Sequence, residues 1–75
     1  MDLSEVPVDE TVRILEITDM PYIYVQRLVE LGFIRGAKIR PVLTGILRGI
    51  RAYRIKNTTI ALRTDTAKKI KVSYF

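Results

Sequence analysis

The chain has 75 residues with 13 lysines and arginines against 8 carboxylates, a net charge of +5, and 48% hydrophobic residues. That is enough for a single domain over residues 1–75, burying roughly 60% of the surface an unfolded chain exposes. The absence of both cysteine and histidine excludes disulfides, thiolate and imidazole catalysis and the usual zinc ligand sets. No apolar run approaches the roughly 18 residues of a membrane span, and the acidic start has no apolar block behind it, so the expectation is a soluble cytoplasmic domain without membrane insertion.

The charge is unevenly placed. Residues 1–34 hold seven carboxylates against Arg13 and Arg27, a net charge of −5, whereas residues 35–75 hold eleven cations against Asp65 alone, a net charge of +10. Such asymmetry steers an acidic protein, a nucleic acid or an anionic membrane surface without choosing among them.

In chain order, Leu3 and Val6-Pro7-Val8 provide small apolar anchors. Residues 11–18 are rich in β-branched side chains and predict a strand, but the apolar parity moves from Val12 and Ile14 to Leu15 and Ile17. Side chains change face at every residue of a strand, so the shift predicts a bulge or bend near Ile14. Asp19 is placed to cap a helix over 21–31, with Pro21 tolerated in its first turn and Tyr22, Val25, Leu28 and Val29 spaced for one face. Gly32 ends this helix in a left-handed conformation and Phe33 folds back over it.

After a turn at Ile34-Arg35-Gly36, residues 37–43 predict a second strand, with Pro41 at an edge or bulge. The stretch 44–49 reads as a connection. Ile46 and Leu47 within it either fold over one end of the domain or form an exposed apolar tip. Further strands are predicted at 50–56, 59–63 and 70–74, with a tight turn at Asn57-Thr58 and a helical turn near Ala67. The predicted core is Val12, Ile17, Val25, Leu28, Leu31, Phe33, Ile39, Ile55, Ile60, Leu62, Ile70 and Val72. Five short strands and one short helix between the first two are expected to close into a small barrel, which shields sheet edges well in a short chain.

Catalysis is excluded residue by residue. No serine or threonine has a histidine base, and the carboxylate pairs Asp9-Glu10 and Asp2-Glu5 read as solvated surface. Gly45 and Gly49 are not followed by the Gly-Lys-Ser/Thr of a phosphate loop. The carboxylates are scattered, so no metal site or cofactor is expected beyond weak contacts at Asp65, Asp9 and Glu10. Nucleic acid is a live alternative: Arg48, Arg51 and Arg54 recur every three residues, and Tyr53, Tyr74 and Phe75 are candidate stacking residues. No helix has a basic recognition face.

The segment Arg27-Leu28-Val29-Glu30-Leu31-Gly32-Phe33-Ile34-Arg35-Gly36-Ala37-Lys38-Ile39 resembles the signature of the ferrous iron transport protein A family, FeoA. The ending Ile60-Ala61-Leu62-Arg63-Thr64-Asp65-Thr66-Ala67-Lys68-Lys69-Ile70-Lys71-Val72 is similar to the same family's close, and the likeness runs over essentially the whole chain. The resemblance implies an SH3-like five-stranded barrel with an inserted helix, acting in the cytoplasm as a non-enzymatic partner of the GTPase-coupled ferrous iron permease through its cytosolic domains. The family's transition-metal label implies weak binding at most, because ligands of the expected kind are missing. The chain departs from the pattern at Asp9, where glycine is frequent, at Arg35, where proline is usual, and at Gly49-Ile50-Arg51, where Gly-Asp-Pro is frequent. For a protein partner, the predicted contact residues are Ile46, Leu47, Arg48 and Arg51, apolar side chains framed by arginine. The same tip, if self-complementary, would make a homo-oligomer. A nucleic-acid-binding small β-barrel is the alternative.

Overall fold

The computed structural model describes the backbone of residues 1–75 and the side chains of all but residues 43–47. A 3-10 turn at Leu3–Glu5 precedes strand β1 (Val12–Ile17), helix α1 (Tyr22–Glu30), β2 (Lys38–Leu47), β3 (Ile50–Ile55), β4 (Thr58–Arg63), the short helix α2 (Thr64–Ala67) and β5 (Ile70–Ser73). All pairings are antiparallel, and the sheet order is β4-β3-β2-β1-β5. The predicted bulge is present: the β1–β5 register shifts between Ile14 and Glu16, so that Ile14 opposes Val72 and Glu16 opposes Lys71.

The expected closed barrel is corrected. β4 and β5 stand at opposite ends of the sheet order, and among the described residues no ladder joins them. The five strands and the helix between the first two are present, but the sheet remains open. The N-terminal segment takes the place that closure would have filled. Asp2 bridges to Lys71 and the Val72 amide donates to the Met1 carbonyl at 3.0 Å, so the outer edge of β5 pairs with the start of the chain. Leu3, Val6 and Ala67 of α2 are each fully buried, which plugs the core beneath the gap with side chains instead of backbone bonds. The edge of β5 and the core beneath the gap are both covered, so β5 has little left to gain from a ladder with β4.

Around this plug the core gathers Val12, Leu28, Phe33, Ile39, Ile55, Leu62, Ile70 and Val72, as predicted, together with Ile14 and Tyr53. Ile17, Val25 and Ile60 are only half-buried. Leu31 is 47% exposed, contrary to expectation. It is the C-cap of α1, and the chain turns at Gly32 so that Phe33 enters the core in its stead. The Gly32 amide donates to Val29 O at 3.0 Å and the Phe33 amide to Leu28 O at 2.9 Å, the paired bonds of a Schellman close, with Gly32 at φ +105°.

Three local expectations are also revised. Asp19 does not cap α1: it takes φ +51°, and Pro21 stands at the N-cap with no side-chain hydrogen bond, its carbonyl accepting from Tyr24 and Val25. The β3–β4 turn falls one residue earlier than predicted, pairing Ile55 with Thr58, and its positive φ belongs to Lys56 at 51°. The connection expected over residues 44–49 shrinks to a turn at Arg48-Gly49, because β2 continues to Leu47.

The 3-10 turn at the start is closed by a capping box between Asp2 and Glu5, with the Ser4 amide and hydroxyl both donating to Asp2 Oδ1. Burial alone would raise the Asp2 pKa, but the hydrogen bonds from Ser4, with Glu5 and the charge of Lys71, outweigh it and hold the carboxyl below its ordinary value. A lowered folded pKa means that this stabilisation is present above the unfolded carboxylate value and fades as pH falls through the folded one.

Three stability measurements follow from this architecture. Leu3→Ala should cost about 2–5 kcal/mol in chemical denaturation, as for any large buried aliphatic, although it lies in a segment of no regular sheet structure. Asp2→Asn should lower Tm at neutral pH, with the gap to the parent closing as pH drops below the carboxylate range; a gap independent of pH would assign the effect to packing. Gly32→Val forces a side chain into a positive φ, and its Cβ would stand 3.0 Å from Lys56 Cε. It should cost at least about 1–2 kcal/mol, a fall in Tm of roughly 5–15 °C, and more than Arg35→Pro in the exposed turn beyond.

Candidate functional site

Of the four predicted contact residues, Ile46 and Leu47 lie outside the described side chains. Arg48 is exposed in the turn that joins β2 to β3. That turn is anchored to α2 by the Thr64 amide, which donates to Gly49 O at 2.7 Å. A cleft of about 330 Å³ lies there, lined by Arg48, Gly49, Ile50, Arg63, Thr64 and Asp65.

Arg51 points the other way. It shares strand parity with Tyr53 and Ile55, both buried, and its guanidinium reaches the N-terminal plug: Nη1 donates to Ser4 O at 3.2 Å and Nη2 to Val6 O at 2.7 Å. Its Cζ lies 5.2 Å from the centre of the Tyr53 ring. Burial raises the Tyr53 pKa, with the nearby Arg51 charge opposing, so the phenol stays neutral. Arg51 is therefore a clamp between β3 and the 3-10 turn. The signal was in the sequence: a residue two positions before a core tyrosine in a strand faces the same way.

The surface that sequence reasoning missed belongs to α1. Only Leu28 of this helix is buried, while Tyr22 is 78% exposed, Ile23 60% and Tyr24 56%. Tyr22 and Val29, expected to pack inward, face solvent. Tyr22-Ile23-Tyr24-Val25 is a run of four apolar residues, and such a run covers the whole circumference of a helix, so one sheet cannot bury all of it. Beside the helix runs an open groove of about 540 Å³, with Met20, Tyr24 and Leu28 on one wall and Arg63, Asp65 and Lys69 among the residues of the other. Arg63 and Asp65 line both this groove and the cleft at Arg48. Tyr24 of the exposed helix, the groove and the β2–β3 turn thus form one continuous surface, apolar on the helix side with a mainly cationic rim, and Tyr22 and Ile23 are exposed on the helix beside it.

The carboxylates do not converge. Glu10 accepts a hydrogen bond from the Tyr74 hydroxyl, Asp65 sits in the first turn of α2, and among the described residues no three of the acidic side chains come together as a metal site.

A family model described as "FeoA domain" matches residues 1–74. The solved FeoA of Stenotrophomonas maltophilia, complexed with zinc and described as an SH3 domain protein proposed to be a bacterial ferrous iron transport activating factor, is 32% identical; the match covers 97% of this chain and 89% of that one, with a TM-score of 0.83. The FeoA protein of Chlorobium tepidum is 24% identical over 99% of this chain and 70% of that one, with a TM-score of 0.87. A manganese-dependent transcriptional repressor shares the fold at 17% identity and a TM-score of 0.86, this chain covering 41% of that one and lying wholly within the match. None of the curated proteins matches this sequence.

Arg51→Lys keeps the charge but loses the fork that spans two carbonyls. It should lower stability by about 1–3 kcal/mol, whereas Arg48→Lys, in the exposed turn, should leave Tm unchanged. Equal melting curves for the two variants would remove the clamp from this account.

Proposed function

The chain belongs to the FeoA family, whose domain model accounts for residues 1–74, and on that premise we propose that it binds the cytosolic domains of a GTPase-coupled ferrous iron permease. FeoA-family domains are non-catalytic accessory modules of iron uptake. The single observation that carries the contact reading is the exposed apolar helix α1, joined through its groove to the β2–β3 turn. A folded domain rarely leaves three large apolar side chains in succession in water unless a partner covers them. The partner's complementary feature is an apolar segment with acidic flanks, seated on Tyr24 and Leu28 and met at the rim by Arg27, Arg63 and Lys69.

Arg48 contributes from the turn, with Ile46 and Leu47 beside it in sequence, while Arg51 serves from within by holding the plug. The location implied is the cytoplasmic side of the membrane; no helix among the described residues is long and apolar enough to cross a bilayer. Activation of ferrous iron transport is an action the Stenotrophomonas relative is proposed to have, and it suits a module that acts by contact alone.

Titration of the chain with the permease's cytosolic domains should show saturable binding with a moderate salt dependence. Ile23→Ser and Tyr24→Ser should each weaken it by at least about tenfold while leaving Tm unchanged, since both residues are exposed. The size of the chain in solution is measured first, because a homo-oligomer buried at α1 would mask the same residues. Binding to single-stranded or duplex oligonucleotides near micromolar affinity, lost steeply with salt and paired with no response to the permease domains, would falsify this function in favour of the nucleic-acid alternative.

A further inference from the structure

Away from α1, four cations stand on the outer face of β1, β2 and β3. Arg13, Lys38, Arg40 and Arg54 are exposed, alternating with Val12, Ile39 and Ile55, which face the core. The register sets them directly against one another: Arg13 opposes Lys38, and Arg40 opposes Arg54. Like charges in directly opposed positions destabilise a sheet, and the hydrogen bonds these arginines make do not neutralise them. Arg13 Nε donates to Ser73 Oγ at 3.2 Å and Arg54 Nη1 to Thr59 Oγ1 at 3.0 Å, in both cases to a hydroxyl.

Lys56 extends the patch. With Thr11, Lys38, Ile39, Arg40 and Arg54 it lines a shallow cleft of about 330 Å³ that has four cations and, among the described residues, no carboxylate in its lining. At the border lies Phe75, 66% exposed, with its ring centre 5.5 Å from Lys38 Nζ and 5.7 Å from Arg13 Cζ.

We infer that the outer face of β1, β2 and β3 docks on an anionic lipid bilayer, with Arg13, Lys38, Arg40, Arg54 and Lys56 over the headgroup phosphates and Phe75 in the interfacial layer. The cations spread over three strands and Lys56, which matches an areal distribution of negative charge. One exposed ring among cations suits the headgroup region, where aromatic side chains settle. A single-stranded nucleic acid would need a platform of successive rings; Tyr53 is 1% exposed, and Tyr74, 47% exposed, is tied through its hydroxyl to Glu10, which leaves Phe75 as the ring beside the cations. The inference deepens the permease reading, since a partner of a membrane transporter works beside a bilayer. Its test contains no permease, so its failure leaves that reading standing.

The experiment is co-sedimentation of the full chain with vesicles of phosphatidylcholine alone and of phosphatidylcholine mixed with phosphatidylglycerol, at low and at physiological salt. Binding should require the anionic lipid and weaken as salt rises. Lys38→Ser, Arg40→Ser and Arg54→Thr should each reduce affinity about fivefold, the factor expected for one basic residue near an anionic surface. Lys68→Ser, which removes the same charge from α2's end, should change it far less, and Phe75→Ser should also weaken binding. The Arg54→Thr variant should melt no lower than the parent, because it relieves a like-charge pair, so lost binding is not lost folding. Equal binding to both vesicle types, equal losses at Lys68 and at the face, or tighter binding to an oligonucleotide through the same residues would overturn the inference.

Discussion

The strands β4 and β5 end a sheet that does not close, and the rest of the structure depends on what fills the space between them. Leu3 and Val6 enter it from a 3-10 turn, and the backbone of Met1 and Asp2 occupies the free edge of β5. Two kinds of demand are met by one segment: apolar side chains complete the core, and peptide groups satisfy an exposed ladder. Arg51 ties this segment to β3 by two hydrogen bonds to its carbonyls. A charged group is expensive to bring so close to a core; here Nη1 and Nη2 find carbonyls and the guanidinium lies over the Tyr53 ring, while the buried Nε is left without a partner.

With the core sealed by the N-terminal plug, α1 is released from that duty. It contributes Leu28, then hands the chain through Gly32 to Phe33, and these two side chains hold it at the sheet. A nine-residue helix is too short to be stable without tertiary support, so the Schellman close and the burial of Phe33 matter to any partner that reads Tyr22, Ile23 and Tyr24. The binding surface is presented by the same contacts that stabilise the helix. This links the fold to its proposed use: a change at Gly32 would disturb both.

The charge asymmetry acquires a geometry that a linear count conceals. Arg51 is drawn inward, Arg27, Arg63 and Lys69 rim the groove, and Arg13, Lys38, Arg40 and Arg54 gather on the outer sheet face. Two surfaces of different character result, one apolar with a basic rim and one flat and basic. Arg13 belongs to the acidic half of the sequence but joins the cations of the second half, because antiparallel pairing brings β1 beside β2.

The sequence by itself determined the five strands, the helix between the first two and much of the core. Alternation in a strand and hydrogen bonding within a helix are local, so the bulge near Ile14, the end of α1 at Gly32 and the inward parity of Ile39, Ile55, Ile70 and Val72 could be read from spacing. The family could be read as well, from residues running across the chain. Tertiary structure alone decided whether the sheet closed, because closure is a competition between two distant edges and a segment, residues 1–6, that has no periodic pattern. It also decided the site. Arg48 and the groove beside α1 are brought together through Arg63 and Asp65, and Tyr22 and Leu31 remain outside because one face of one sheet has room for Leu28 and Phe33. Sequence spacing says which side chains can face a core; how much area that core offers is a property of the assembled chain.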